Sequence, residues 1–189
     1  MNIDKVIKER HSCRRFSTKK VKWQDIIEAI DAANLAPQAG NISVIRFILI
    51  DNQDTINRLA KACQQDFIVN APYVVAVCTD KTQLERSYEE RAEMYARQQA
   101  GAAVENFLLK ITDLGLASCW VGAFVDDEVK DILEITKPYE DISVEALLPV
   151  GYEMPGKAKS PRKPVLDNVL WFNVWKNKFM KVPRKPGTG

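Results

Sequence analysis

Within the seven residues Arg10-His11-Ser12-Cys13-Arg14-Arg15-Phe16 the chain gathers three guanidiniums, a hydroxyl and its only histidine. Guanidiniums are planar, permanently charged and shaped to grip phosphate oxygens through paired hydrogen bonds. A phosphomonoester offers them about −1.5 to −2 charges and three strong acceptor oxygens. The stretch follows a short amphipathic opening helix with Ile3, Val6 and Ile7 on one face, so it could hold a phosphate at a helix end. An isolated basic cluster of this size is ordinarily a solvated turn. The rest of the chain decides between the two.

Other apparent chemistry falls away on inspection. His11 has no acid or nucleophile at motif spacing, which argues against Ser-His-Asp and Cys-His arrangements. Gly151-Tyr152-Glu153-Met154-Pro155-Gly156-Lys157 matches most of a nucleoside-triphosphate phosphate loop. Ala158 then replaces the magnesium-binding Ser or Thr, and Ser160-Pro161 prevent the helix that should face the phosphates. No GxGxxG occurs, so a Rossmann dinucleotide site has no support. Cys13, Cys63, Cys78 and Cys119 are scattered, with no CxxC. The expectation is no metal site, reduced thiols and a cytoplasmic location, where the Asn41-Ile42-Ser43 sequon means nothing. Pro161-Arg162-Lys163-Pro164 resembles an SH3 ligand, a tetrapeptide common by chance.

The elements that must position these residues can be read from composition and periodicity. With 189 residues, 46% of them hydrophobic and 28% charged, the chain is long enough for one soluble domain with a sizeable core. A net charge of +2 is too small to point to nucleic acid or an acidic membrane surface, and no apolar run approaches a membrane span. The spacing predicts a helix over Trp23–Ala36, stopped by Pro37, then a loop over Gln38–Asn41 and a strand over Ile45–Ile50. A helix over Asp54–Gln65 and a strand over Tyr73–Cys78 follow. Glu89–Leu114 is the longest helical pattern, stopped by Gly115 and carrying Ala100-Gly101-Ala102-Ala103, small enough for another helix to cross closely. Ser118–Phe124 reads as a strand, Asp126 as the cap of a helix to about Ile135, and Val144–Val150 as a buried strand. Alternating strands and helices imply an α/β or α+β domain. Beyond the basic loop Gly156–Lys163, Leu170, Trp171, Phe172, Trp175 and Phe179 need a surface to cover, on a neighbouring subunit or on their own.

Four stretches, in order, resemble the FMN-dependent nitroreductase family. Arg10-His11-Ser12-Cys13-Arg14 is similar to the family's Arg-Arg-Ser-x-Arg, and Ala36-Pro37-Gln38-Ala39-Gly40-Asn41 to Ala-Pro-Ser-x-x-Asn. Gly115-Leu116-Ala117-Ser118-Cys119-Trp120-Val121-Gly122 is similar to Gly-Leu-Gly-Ser-Cys-Trp-Ile-Gly. Leu148-Pro149-Val150-Gly151-Tyr152, followed by Pro161-Arg162-Lys163-Pro164, resembles the family's closing motif. Order and spacing agree from about residue 3 to residue 175. The chain departs from the family at Gln38, where serine is usual, at Ser43, where glutamine is common, and at Val44-Ile45, which replace a frequent Pro-Trp pair.

The resemblance implies an α+β fold with a central mixed sheet flanked by helices. It implies a single FMN-binding domain over 1–189, whose C-terminal arm, about 165–189, is exchanged between the subunits of a homodimer. By position, Arg10, His11, Ser12 and Arg14 would bind the FMN phosphate and ribityl chain, with Arg162 and Lys163 closing on the phosphate. Pro37, Gln38 and Asn41 would reach the flavin from the partner, and Cys119, Trp120, Val121 and Gly122 would line the ring edge. The flavin would carry the redox chemistry, so no catalytic side chain is expected. The implied activity takes reducing equivalents from NAD(P)H and passes them to a small acceptor such as a nitroaromatic, a quinone or a flavin. The alternatives are dehalogenation, flavin cleavage, FMN carriage, or a binding protein without redox activity. Neither nucleic acid nor membrane is an expected partner.

Overall fold

A computed structural model describes residues 2–139, 141–156 and 165–180. The chain divides into two compact units, Met1–Ala158 and Lys159–Gly189. The first is α+β. Its four strands, β1 (Ile45–Ile50), β2 (Tyr73–Asp80), β3 (Ala117–Ser118) and β4 (Ile142–Gly151), form a sheet in the order β1-β2-β4-β3. Every strand pair is antiparallel, where a mixed sheet was expected. Among the described residues, the one parallel pairing is an isolated bridge between Ser12 and Ser118.

The sheet is buried on both faces, which is why β2 and β4 read as continuous apolar runs. Val75, Val77, Ala146, Leu148 and Val150 point to the layer holding α2 (Trp23–Asn34) and α5 (Ala92–Asp113). Val74, Ala76 and Leu147 point the other way, toward α3 (Gln53–Ala62) and α6 (Asp126–Ile132). The period-2 alternation of each strand thus feeds two separate layers. α5 is the central helix of its layer: Ala96, Ala100, Ala103, Phe107 and Ile111 are all buried along it. α2 crosses it, and the pair is tied by Lys110 to Glu28 at 2.6 Å and by Asn106 Nδ2 donating to the Ala32 carbonyl at 3.3 Å.

Several boundaries differ from the expected ones for identifiable reasons. α1 (Ile3–Glu9) is capped by the Asn2 side chain, but only Val6 is buried; Ile3 and Ile7 stay exposed. Residues 38–41 are more ordered than a loop, because Ala39–Asn41 form a 3-10 turn. A helix absent from the expectations, α4 (Thr82–Tyr88), precedes a 3-10 turn over Glu89–Arg91, so α5 begins only at Ala92. Gly115, at φ 72°, ends α5 as expected. Asp126 does not cap α6: Val125 is the cap residue, and Asp126, Asp127 and Glu128 instead place three carboxylates in the first turn, against the positive end of the helix dipole. β3 stops at Ser118 although Val121 still bridges Leu147. The same register sets Cys119 opposite Pro149, which has no N–H to contribute, so the ladder breaks there.

The second unit contains a four-residue helix, α7 (Leu166–Val169), and the stacked pair Trp171–Trp175, whose ring centroids are 4.2 Å apart. The Lys178 ammonium sits 5.1 Å from the Trp171 ring and donates to the Leu170 carbonyl. Val165, Leu166, Val174, Trp175, Phe179 and Met180 are exposed.

Candidate functional site

The basic stretch leaves α1 and runs along the open edge of β3. Ser12 bridges Ser118, and the Cys13 amide donates to the Ser118 carbonyl at 2.9 Å. Further on, Phe16 bridges Glu153, the Ser17 amide donates to the Tyr152 carbonyl, and the Met154 amide donates to the Arg15 carbonyl. Backbone bonds therefore clamp this run to the end of β3 on one side and to the exit of β4 on the other. Phe16, Cys13 and Ala71 pack beneath it. Gly151 makes the approach possible: a Cβ there would lie 2.8 Å from Phe16 Cδ1 and 3.1 Å from Pro72 Cδ.

The side chains on this run have different fates. Arg10 Nε lies 3.4 Å from the Glu105 carboxylate on α5. The Arg15 guanidinium donates to the Met154 sulfur at 3.3 Å. His11 has Nδ1 at 2.8 Å from the Glu9 carbonyl and Nε2 at 3.0 and 3.1 Å from the two Glu153 oxygens. These contacts, the Glu9 carbonyl foremost, raise the His11 pKa above its ordinary value. Arg14 is exposed, its guanidinium carbon 5.9 Å from the Phe67 ring centre, and among the described residues no carboxylate lies within ion-pair reach of it. On β3, the Ser118 hydroxyl is buried without a hydrogen-bond partner among the described residues.

Pro37, Gln38 and Asn41 belong to a second group, positioned where α2 ends. Gly40 and Asn41 both take positive φ, and a Cβ on Gly40 would lie 2.6 Å from the Tyr88 hydroxyl, so the turn is pressed under α4. It opens on a groove of about 330 Å³ lined by Pro37, Gln38, Ala39, Tyr95, Gln99 and Ala102, among others. Gln99 is only 4% exposed, and neither atom of its amide has a partner among the described residues. The sequence reading missed this residue. Its signal was a polar side chain in phase with Ala96, Ala103 and Phe107 on the buried face of a helix.

The third group sits at the break in the β3 ladder. Cys119 and Val121 are buried, while Trp120 is 42% exposed. Its indole lies 3.9 Å from where a Gly101 side chain would begin. The small-residue stretch of α5 thus has the Trp120 ring against Gly101, while Ala102 lines the groove with Pro37–Ala39. Burial holds the Cys119 thiol above its ordinary pKa, although Arg14 and Ser12 pull the opposite way across the Ser12–Ser118 bridge. No cation is near Cys119 in sequence; the fold supplies Arg14. Because burial prevails, little thiolate forms near neutrality. Cys119→Ala is therefore expected to keep ligand binding and most turnover, with a stability loss of about 1 kcal/mol from lost packing. A collapse of turnover in a folded Cys119→Ala protein would show that the sulfur takes part in chemistry. Arg162 and Lys163 lie outside the described residues.

A profile of the Nitroreductase family matches residues 7–70 and 62–152, spanning all three groups. The chain belongs to the nitroreductase family. An Archaeoglobus fulgidus protein with the provisional name NADH dehydrogenase/NAD(P)H nitroreductase is 31% identical over 150 residues, 78% of this chain and 83% of that one. An oxygen-insensitive NADPH nitroreductase of Helicobacter acinonychis is 23% identical, covering 88% of this chain and 95% of its own. The solved NADPH:FMN oxidoreductase of Vibrio harveyi, complexed with NAD+, superposes with a TM-score of 0.81 at 17% identity over 95% of this chain and 80% of that one. As a nitroreductase-family member, this protein is an oxidoreductase with the family's α+β fold.

The residues present fit a flavin mononucleotide. An exposed guanidinium with no carboxylate partner among the described residues suits a phosphate. A buried amide with a free donor and a free acceptor suits a ring edge carrying both. Among the described residues no helix is long and apolar enough to cross a membrane.

Proposed function

We propose that this chain is an FMN-dependent oxidoreductase that takes reducing equivalents from NAD(P)H and passes them to a small acceptor, such as a nitroaromatic, a quinone or a flavin. The observation that carries this reading is the Arg10–Arg14 turn. Backbone bonds fix it against Ser118 and Glu153, yet Arg14 stays without a carboxylate. Arg14 and Ser12 would hold the phosphate end, with Arg10 and, from the far part of the chain, Arg162 and Lys163 beside it. The chemistry that FMN supplies when bound is hydride acceptance and onward reduction. The backbone from Cys119 to Gly122 would border the ring edge, and buried Val121 and Cys119 would keep water from that side. Pro37, Gln38, Asn41 and Gln99 would complete the site from a partner subunit. The names of the Helicobacter and Vibrio relatives support both the nicotinamide donor and the flavin.

The same reading makes the protein a cytoplasmic homodimer of one domain per chain, with the arm from about residue 165 laid on the partner. Its support is apolar surface: Trp175 is 73% and Phe179 68% exposed in the second unit, and Ile3, Trp23 and Leu35 are exposed in the first. Such surface resembles a divided core, as permanent dimer interfaces do. The test is direct. Purified protein should be yellow with one flavin per chain, scatter light as a dimer, and bleach anaerobically on mixing with NADH or NADPH. A protein that takes up no FMN, or whose bound FMN neither nicotinamide reduces, would sink the proposal.

A further inference from the structure

His11 was expected to touch the phosphate directly, but both of its ring nitrogens are already engaged. Nδ1 faces the Glu9 carbonyl at 2.8 Å and Nε2 faces the Glu153 carboxylate at 3.0 Å. A carbonyl and a carboxylate only accept hydrogen bonds, so both contacts are satisfied only when each nitrogen carries a hydrogen. The geometry is that of an imidazolium. It ties three pieces of chain together: the end of α1 through Glu9, the anion-binding turn itself, and the run after β4 through Glu153. Backbone bonds fix that last run beside Phe16, so Glu153 is held in place independently of the ring.

We propose that Glu153 is a positioning residue that holds His11 as a cation, and that this pair sets Arg10, Ser12 and Arg14 for a phosphomonoester. The proposal rests on the FMN reading of the same turn. Among the described residues, the charged groups that act on the ring are Glu153 and Arg10. Glu153 favours the proton, Arg10 on the same segment opposes it, and Arg10 is itself balanced by Glu105 from α5. The Cys13 thiol, whose own pKa burial raises, also feels Glu153 and stays neutral near pH 7. The raised His11 pKa agrees in direction. A phosphate arriving beside Ser12 adds negative charge and must raise it further, so binding takes up protons wherever free His11 is partly deprotonated. By linkage, FMN affinity is greatest while His11 is charged. It falls as pH rises through the His11 pKa, by up to about tenfold per pH unit for one coupled proton.

The chain's single histidine makes the test clean, because its imidazole resonance in an NMR titration needs no assignment. The probes are FMN and riboflavin, which lacks the phosphate, added to the whole protein between about pH 7 and pH 9, where the phosphomonoester stays dianionic. In the parent protein the imidazole should titrate above about 6.5, the ordinary histidine value. FMN should move it higher and riboflavin should not. Glu153→Gln should lower the pKa and shift the fall of FMN affinity to lower pH by the same amount. His11→Arg, a cation that does not titrate, should bind FMN with a flat profile across the range. FMN that binds equally well at every pH, or that leaves the imidazole titration where it was, overturns the proposal while the cofactor reading stands. Absence of FMN binding at any pH overturns both.

Discussion

Arg14→Ala should weaken FMN binding by about 2–3 kcal/mol, roughly thirtyfold or more in Kd, from the loss of a charge-assisted and potentially bidentate contact. The other two guanidiniums of the turn cannot make up the loss. Arg10 lies against the Glu105 carboxylate, and Arg15 is turned away toward the Met154 sulfur. Arg14 is exposed, with no carboxylate among the described residues within ion-pair reach, and its guanidinium carbon lies 5.9 Å from the centre of the Phe67 ring. Flavin fluorescence titration reads the effect. Riboflavin supplies the control: lacking the phosphate, it should lose little affinity for the variant. Equal losses for FMN and riboflavin would mean that Arg14 supports the turn and not the phosphate. An unchanged FMN titration would remove Arg14 from the site altogether.

That prediction could be framed from sequence only in part, and the reason is physical. The order Arg-His-Ser-Cys-Arg resembles the first motif of the family, and a strand such as Tyr73–Asp80 announces itself by being buried on both faces. The cations, by contrast, are sorted by residues far away in the chain. Glu105 takes Arg10, Glu153 takes His11, and Met154 takes Arg15, none of which any local pattern predicts. Gln99 is legible only once the phase of α5 is known, since an amide matters there because the helix face around it is apolar. β3 was overextended because Cys119–Phe124 has strand composition, whereas its pairing depends on Pro149 in another strand. α4 was missed because Thr82–Tyr88 is mostly polar, with Leu84 its single buried residue, and so carries little periodicity.

Phe107→Ala should cost about 3–5 kcal/mol of folding stability, the range for truncating a fully buried aromatic. Phe107 is 0% exposed and sits in the layer between α2, α5 and the sheet. Its helix neighbours toward the N-terminus on the same face, Ala100, Ala103 and Val104, are too small to fill the space. For a chain of this length that loss lowers the melting temperature by roughly 6–20 °C. The consequence for function follows from what α5 carries. Gln99 and Ala102 face the Pro37–Ala39 groove, Gly101 faces Trp120, and Glu105 holds Arg10. A helix loosened at its centre therefore loosens every part of the site together. A ligand that binds only the folded protein should restore part of the loss, about 2.7 kcal/mol at a hundredfold excess over its Kd. Thermal melts of Phe107→Ala with and without FMN measure both quantities. A variant that melts as the parent does would show that the core tolerates the hole. A variant destabilised as expected, but melting no higher with FMN present, would show that its folded state no longer binds FMN and that the site is lost with the packing of this helix.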